Sequence, residues 1–211
     1  MEKKHQVHSL IILDESGSMN CIKDFVISGF NETVQTIKGI EKQFPEQEHF
    51  ISFVTFNGLG TKQFHFVDPA RELNIINSQT YNPEADTPLY DAMGHAINNL
   101  KRYLINKVDY NVLITIFTDG EENASTEYSG QAIKKLVEEL KQKHWTFTYI
   151  GTDHDVYQAG TSISITNTIT FNKNEEDIKA VFLKEKQARF NYSQRIRDNV
   201  EIGEDYFKDS Q

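Results

Sequence analysis

Residues 7–19 read VHSLIILDESGSM, and the reading of this stretch decides the fold. Val7 to Leu13 is short and almost wholly apolar, the pattern of a parallel strand covered on both faces. It runs straight into Asp14, Glu15, Ser16 and Ser18, oxygen-bearing side chains turned by Gly17. Tyr110 to Phe117 (YNVLITIF) repeats the layout, ending in Thr118-Asp119-Gly120-Glu121-Glu122.

Outward from these strands the periods alternate. Ile22, Val26, Phe30, Val34 and Ile37 recur at helical spacing, widened by Phe25 and Thr33, with Gly39 and Pro45 predicting the helix end. Phe50–Phe56 and Lys62–Val67 read as strands flanking Asn57-Gly58 and Gly60, a hairpin signal closed by Asp68-Pro69. Residues 71–86 lack a period and are expected as loop. Thr87-Pro88 opens a helix whose buried stripe is Leu89, Met93, Ala96, Ile97, Leu100 and Leu104. A helix follows at Ile133, Leu136, Val137 and Leu140, then a strand over Trp145–Ile150 and a weaker one over Ile163–Ile169. Ile178, Val181 and Phe182 begin a last helix running toward Tyr192. This order predicts an α/β fold: a doubly wound, mostly parallel sheet of about six strands with one antiparallel edge strand and helices on both faces. The expected organisation is one domain over 1–192 and a charged, loosely packed or flexible tail over 193–211.

The chain has 211 residues, enough to bury about 70% of its extended surface in a core without staples. Fourteen Phe and nine Tyr make it too aromatic to be disordered as a whole. A net charge of −9 argues against binding nucleic acid by phosphate neutralisation and against docking on an anionic membrane. No apolar run approaches the ~20 residues of a membrane span, and the polar N-terminus lacks the layout of a secretory signal. With Cys21 as its single cysteine, the chain forms no internal disulfide, so a reducing, cytoplasmic location is expected.

In an open doubly wound sheet, ligands bind beyond the carboxyl ends of the strands. Three junctions there concentrate oxygen: residues 14–18, Ala85-Asp86-Thr87-Pro88, and residues 118–122. Singly, each has an ordinary explanation, since Ser16, Ser18 or Thr87 could cap a helix and Asp119-Gly120 is a turn pair. A cap needs one oxygen, however, and the first loop offers four side chains. The joint reading is a site for a divalent cation, because hard ions such as Mg²⁺ take oxygen ligands. Ser16 and Ser18 would aim hydroxyls at one point, Thr87 would add a third, and Asp14 and Asp119 would contribute directly or through water. An ion so weakly neutralised accepts an external carboxylate.

An enzymatic alternative is a metal-dependent phosphotransferase or phosphatase using Asp14 as nucleophile. Ser16 stands where a second Asp would serve as general acid, and no lysine is evidently placed to steady a phosphoryl group. Neither a dinucleotide glycine pattern nor a P-loop lysine follows the first strand. A third possibility is a blocked scaffold, with the acidic residues of 201–209 supplying a ligand in cis.

IILDESGSM, DTPLYDA and FTDGEEN together resemble the three metal loops of von Willebrand factor type A domains, over roughly residues 6 to 170. The resemblance implies a metal-ion-dependent adhesion site with Ser16, Ser18 and Thr87 as direct ligands and Asp14 and Asp119 acting mostly through water. It implies Mg²⁺, with Mn²⁺ or Ca²⁺ as alternatives, and a non-enzymatic module capturing an Asp or Glu of a partner protein. The wording of the second and third loops is most similar to the stand-alone intracellular bacterial group, including members associated with tellurium resistance, which implies a stress-response or defence assembly. Asp86 departs from the glycine often found before the metal-binding Thr; it would either strengthen the site or point away.

Other side chains have plainer expected roles. Glu121 and Glu122 are read as a solvated acidic rim, and Tyr90, Asn123 and Met19 as the rim a partner touches. In Asp153-His154-Asp155 the expected role is capping a short helix. His95 is expected to be half-buried and structural, and Cys21 small and buried.

Overall fold

The computed structural model describes residues 4–152, 155–200 and 205–208. Six strands, β1 (His5–Asp14), β2 (Gln47–Asn57), β3 (Gly60–Pro69), β4 (Tyr110–Thr118), β5 (Trp145–Gly151) and β6 (Asn167–Thr170), form one sheet in the order β3-β2-β1-β4-β5-β6. All neighbours are parallel except β2 and β3, whose hairpin makes β3 the antiparallel edge. The apolar run 7–13 is thus the centre of the sheet, between β2 and β4. The order reverses beside β1, which opens the crevice at its carboxyl end.

Alternation along β1 feeds two cores. Val7, Ile11 and Leu13 join helices α1 (Lys23–Gln43) and α5 (Glu175–Arg197) on one face. Leu10 and Ile12 join α2 (Leu89–Leu104) and α3 (Gly130–Lys141) on the other, with Val156 of the short helix α4 (Val156–Ser162). α1 and α5 pack so closely that a methyl on Gly29 would lie 2.0 Å from the Phe182 ring. α5 also buries an ion pair: Arg189 bonds Glu185 at 2.6 Å, Ser9 of β1 at 3.1 Å and Thr115 of β4 at 3.0 Å. That polar stripe lies inside the core, which is why the helix has so weak an amphipathic signature in sequence.

Several boundaries differ from the sequence reading. Gly39 lies within α1, which continues to Gln43. The weak strand expected over 163–169 is confined to Asn167–Thr170, because the chain first closes α4: Ile163 N and Ile165 N both donate to Gly160 O, and Ser164 takes a positive φ of 62°. α5 passes residue 192 and ends at Arg197, and Tyr206 and Phe207 are buried, Tyr206 packing on Tyr192. Residues 201–204 and 209–211 lie outside the described part. β1 starts and α5 ends at the same edge of the sheet, where His5, Gln47, Trp145, Ile196 and Arg197 line one cavity.

The aperiodic segment after β3 has a definite job. β3 leaves the chain at the far edge, and residues 73–88 carry it back to the carboxyl edge. Leu73, Ile76 and Tyr81 are buried along the way, and Asn31 of α1 clamps Ile76 through both its backbone N–H and its carbonyl.

Two predictions follow from packing and burial. Gly29→Ala should cost about 1–3 kcal/mol in denaturant unfolding, because the ring of Phe182 blocks the added methyl. Gly39→Ala, which meets open space, should instead stabilise by about 0.5–1 kcal/mol. His8 and His49 are both held to about 4 chiefly by burial, with smaller pushes from Lys107 and His5 on His8 and from Arg189 and His5 on His49. The unfolded chain takes up these protons near pH 6.5 and the folded one resists until about 4. Their stabilisation is therefore complete above pH 6.5 and is lost as pH falls through that interval. His49→Leu should remove up to about 3 kcal/mol of the acid-side loss between pH 6.5 and 4, read from urea unfolding at stepped pH.

Candidate functional site

The predicted site residues sit at the carboxyl edge, at the ends of the adjacent strands β1 and β4. Asp14 closes β1 and is fully buried. Its Oδ1 accepts from the backbone N–H of Ser16 at 2.7 Å and its Oδ2 from the Thr118 hydroxyl at 2.6 Å. Burial pushes this carboxyl up to about 6, partly opposed by the bonds from Thr118 and Ser16 and reinforced by the nearby charge of Asp119. Asp119, also buried, accepts from the Ser18 hydroxyl through Oδ1 at 2.6 Å. The Ser16 and Ser18 hydroxyls lie 3.2 Å apart. Thr87 flanks the same stretch: a methyl placed on Gly120 would be 3.7 Å from Ser18 Oγ and 3.9 Å from Thr87 Oγ1. Asp14, Ser16, Ser18, Thr87 and Asp119 therefore converge on one locus from three separate loops.

The hydroxyls are not spent on helix ends. Ser16 precedes the 3₁₀ turn Gly17–Ile22 without a side-chain cap bond. At the start of α2 the free N–H groups are satisfied from the third loop instead: Tyr90 N donates to Glu122 Oε2 at 2.8 Å and Asp91 N to Ser125 Oγ at 3.0 Å. The N–H of Thr87 itself donates to Asn123 Oδ1 at 2.9 Å. Glu122 further accepts from Ala124 N, Ser125 N and the Ser125 hydroxyl, so one carboxylate folds its own loop and holds the second loop to it. Asp91 returns the contact, accepting three backbone N–H groups from 126–128.

The first and second loops are locked together as well. Gly17 N donates to Ala85 O, Glu84 N to Glu15 O, and the buried Tyr81 hydroxyl to Asp14 O at 2.7 Å. Glu15 turns away from Asp14 into a polar pocket, where it accepts from Thr55, Lys62 and Asn82 N. It is a fastener between the first loop, the hairpin and residues 73–88.

Some side chains depart from their expected roles. Glu122 is a loop staple rather than a solvated rim, while Glu121 is exposed. Met19 is in the core; Asn123 holds Thr87 yet is exposed, and half-buried Tyr90 faces a cleft of about 410 Å³ with Glu121, Tyr149, Asp155 and Ser162. His95 is exposed beside Glu127, and Cys21 is exposed, because the 3₁₀ turn rotates it off the core side. Asp86 is exposed. Asp155 caps α4 by accepting from Gln158 N, while Asp153 and His154 lie outside the described residues.

Sequence reasoning missed Lys173. Its ammonium lies 2.7 Å from Asp119 Oδ2, as an ion pair rather than an aligned hydrogen bond. Lys173 stands 54 positions after Asp119 in sequence, with no local pattern that ties it to the third loop.

Loss of the Glu122 staple should be visible as stability. Glu122→Ala should cost about 2 kcal/mol in urea unfolding, as several backbone donors lose a charged acceptor, whereas Glu121→Ala should stay within about 0.5 kcal/mol of wild type.

Comparison with known proteins places this geometry. The structure is similar to that of a mutant of the PilB minor pilin from Streptococcus sanguinis, with a TM-score of 0.59 at 12% identity over 95% of this chain and 65% of that one. It is similar to a von Willebrand factor type A protein from Catenulispora acidiphila, with a TM-score of 0.54 at 13% identity over 92% of this chain and 43% of that one. The manganese-loaded TRAP protein of Plasmodium vivax gives a TM-score of 0.50 at 15% identity over 84% and 73%. At these identities the likeness is one of fold, and the chain spans less than two thirds of the pilin and of the Catenulispora protein. No curated protein sequence matches. A family model, the von Willebrand factor type A domain, matches residues 10–186, which include all three loops: the chain belongs to the von Willebrand factor type A domain family.

Proposed function

We propose that this protein is a protein-interaction module whose contact point is a divalent cation held by Ser16, Ser18 and Thr87, with Asp14 and Asp119 oriented behind it. The observation that carries the reading is the convergence of three hydroxyls and two buried carboxylates on one locus, with the hydroxyls left out of helix capping. The donor set fits such an ion. The candidate donors Asp14, Ser16, Ser18, Thr87 and Asp119 carry oxygens alone, the preference of Mg²⁺ and Mn²⁺; among the described residues no group of three or more His, Cys, Asp or Glu side chains gathers, so such a site would rest on its hydroxyls. Asp119 Oδ2 is buried with no aligned hydrogen bond and only the Lys173 ammonium beside it, at 2.7 Å, so its second lone pair is available to a cation or its water.

When bound, the ion supplies a positive centre that attracts an external carboxylate. The chain's own part is to hold its carboxylates back. Asp14 has both oxygens engaged, which keeps it oriented and leaves the hydroxyls foremost. The partner side chain would be an Asp or Glu, and the cleft beside Tyr90 would take the residues flanking it. The manganese-loaded state of the TRAP neighbour is in keeping with this chemistry. The fully buried, doubly bonded Asp14 weighs against its acting as a phosphoryl nucleophile, although Lys173 does supply the cation that sequence reading found missing there.

Ser16→Ala combined with Ser18→Ala should keep the fold by circular dichroism and abolish Mn²⁺ uptake by titration calorimetry, together with Mg²⁺-dependent capture of partner. Uptake undiminished in the double variant, or capture indifferent to EDTA in the wild type, would count against the reading.

A further inference from the structure

Lys173 is the cation that the structure itself brings to the site. Its side chain is 20% exposed and that of Asp119 is fully buried, so the 2.7 Å pair is shielded from water on the acid's side. The lysine is also held in place. Asn172 donates to Asp177 through both its backbone and its side chain, while Asn174 accepts from Asp177 N as the cap of α5. One residue earlier, Phe171 N donates to Gly151 O at the end of β5. The backbone on both sides of Lys173 is thereby fixed, which sets the point from which its side chain reaches Asp119.

Asp119 is thus divided, with Ser18 on one oxygen and an ammonium beside the other. The two buried carboxylates bring a formal charge of −2 to the locus, and Lys173 offsets half of it. Resting on the metal-site reading above, we propose that Lys173 is a resident counter-cation that weakens the site's hold on its divalent ion and leaves the loaded site with surplus positive charge for the partner's carboxylate. Because the ammonium touches a carboxylate of the cluster, its removal acts at short range and in partly desolvated surroundings, where a unit charge changes affinity by an order of magnitude.

Mn²⁺ titration calorimetry of the full chain tests this. Lys173→Met should bind Mn²⁺ at least about tenfold more tightly than wild type, and Lys173→Gln should do the same if the Met variant folds poorly. Lys173→Arg should stay near wild type. Lys179→Met, which removes a positive charge from the exposed Lys179–Glu175 pair of α5, should leave the affinity unchanged. A second readout is thermal: without metal the Met variant should melt below wild type, and saturating Mn²⁺ should raise its melting point by more. Equal affinities in wild type and the Met and Gln variants, or an Arg variant that behaves like them, would overturn the proposal while leaving the metal site standing. Failure of both folded wild type and folded Lys173→Met to take up Mn²⁺ would overturn the metal reading, and this inference with it. Uptake by the Met variant alone would support both.

Discussion

Two carboxylates, Asp14 and Asp119, are buried at the ends of neighbouring parallel strands, and the surrounding structure is organised by the need to hold them there. Like charges at close quarters in a poorly hydrated place repel, and burial is the chief reason that the Asp14 carboxyl rises to about 6 despite its hydrogen bonds. The protein answers with donors on every side: Ser16 N and Thr118 for Asp14, Ser18 and Lys173 for Asp119. Every one of these donors lies within four residues of a strand end or beside a helix cap, so the sheet itself sets their positions.

Around that pair, the three loops behave as one rigid body because each supplies what another lacks. The first lends carbonyls to the second, through Glu15 O and Asp14 O. The third lends Glu122, Asn123 and Ser125 to the N–H groups at and before the start of α2. Capping α2 from a different loop is what frees Thr87. If the proposed ion binds there, a site assembled this way keeps the ordering cost of binding low.

The parts that the sequence makes legible are those with a local signature. The apolar runs of β1 and β4, the hairpin at Asn57-Gly58, the stripe of α2 and the oxygen-rich strand ends all announce themselves through short-range patterns, and they suffice for the sheet and for the five convergent residues. What stays hidden depends on contacts distant in sequence. Glu122 looks like any surface acid until α2 is set against it, and Lys173 until β6 is placed beside β5. Cys21 and His95 were misjudged because one residue of helical phase separates the covered side from the wet one. The strand expected over 163–169 begins only at Asn167, because Ile163 and Ile165 give their N–H groups to Gly160 O in closing α4, a bond that leaves no pattern in the sequence.

The chain enters β1 and leaves α5 at one edge of the sheet, whereas the convergent oxygens occupy the other. The geometry is that of a tool with its handle and its working end at opposite poles. A molecule engaging the oxygen-lined pole would approach from the side opposite to the one where β1 begins and α5 ends.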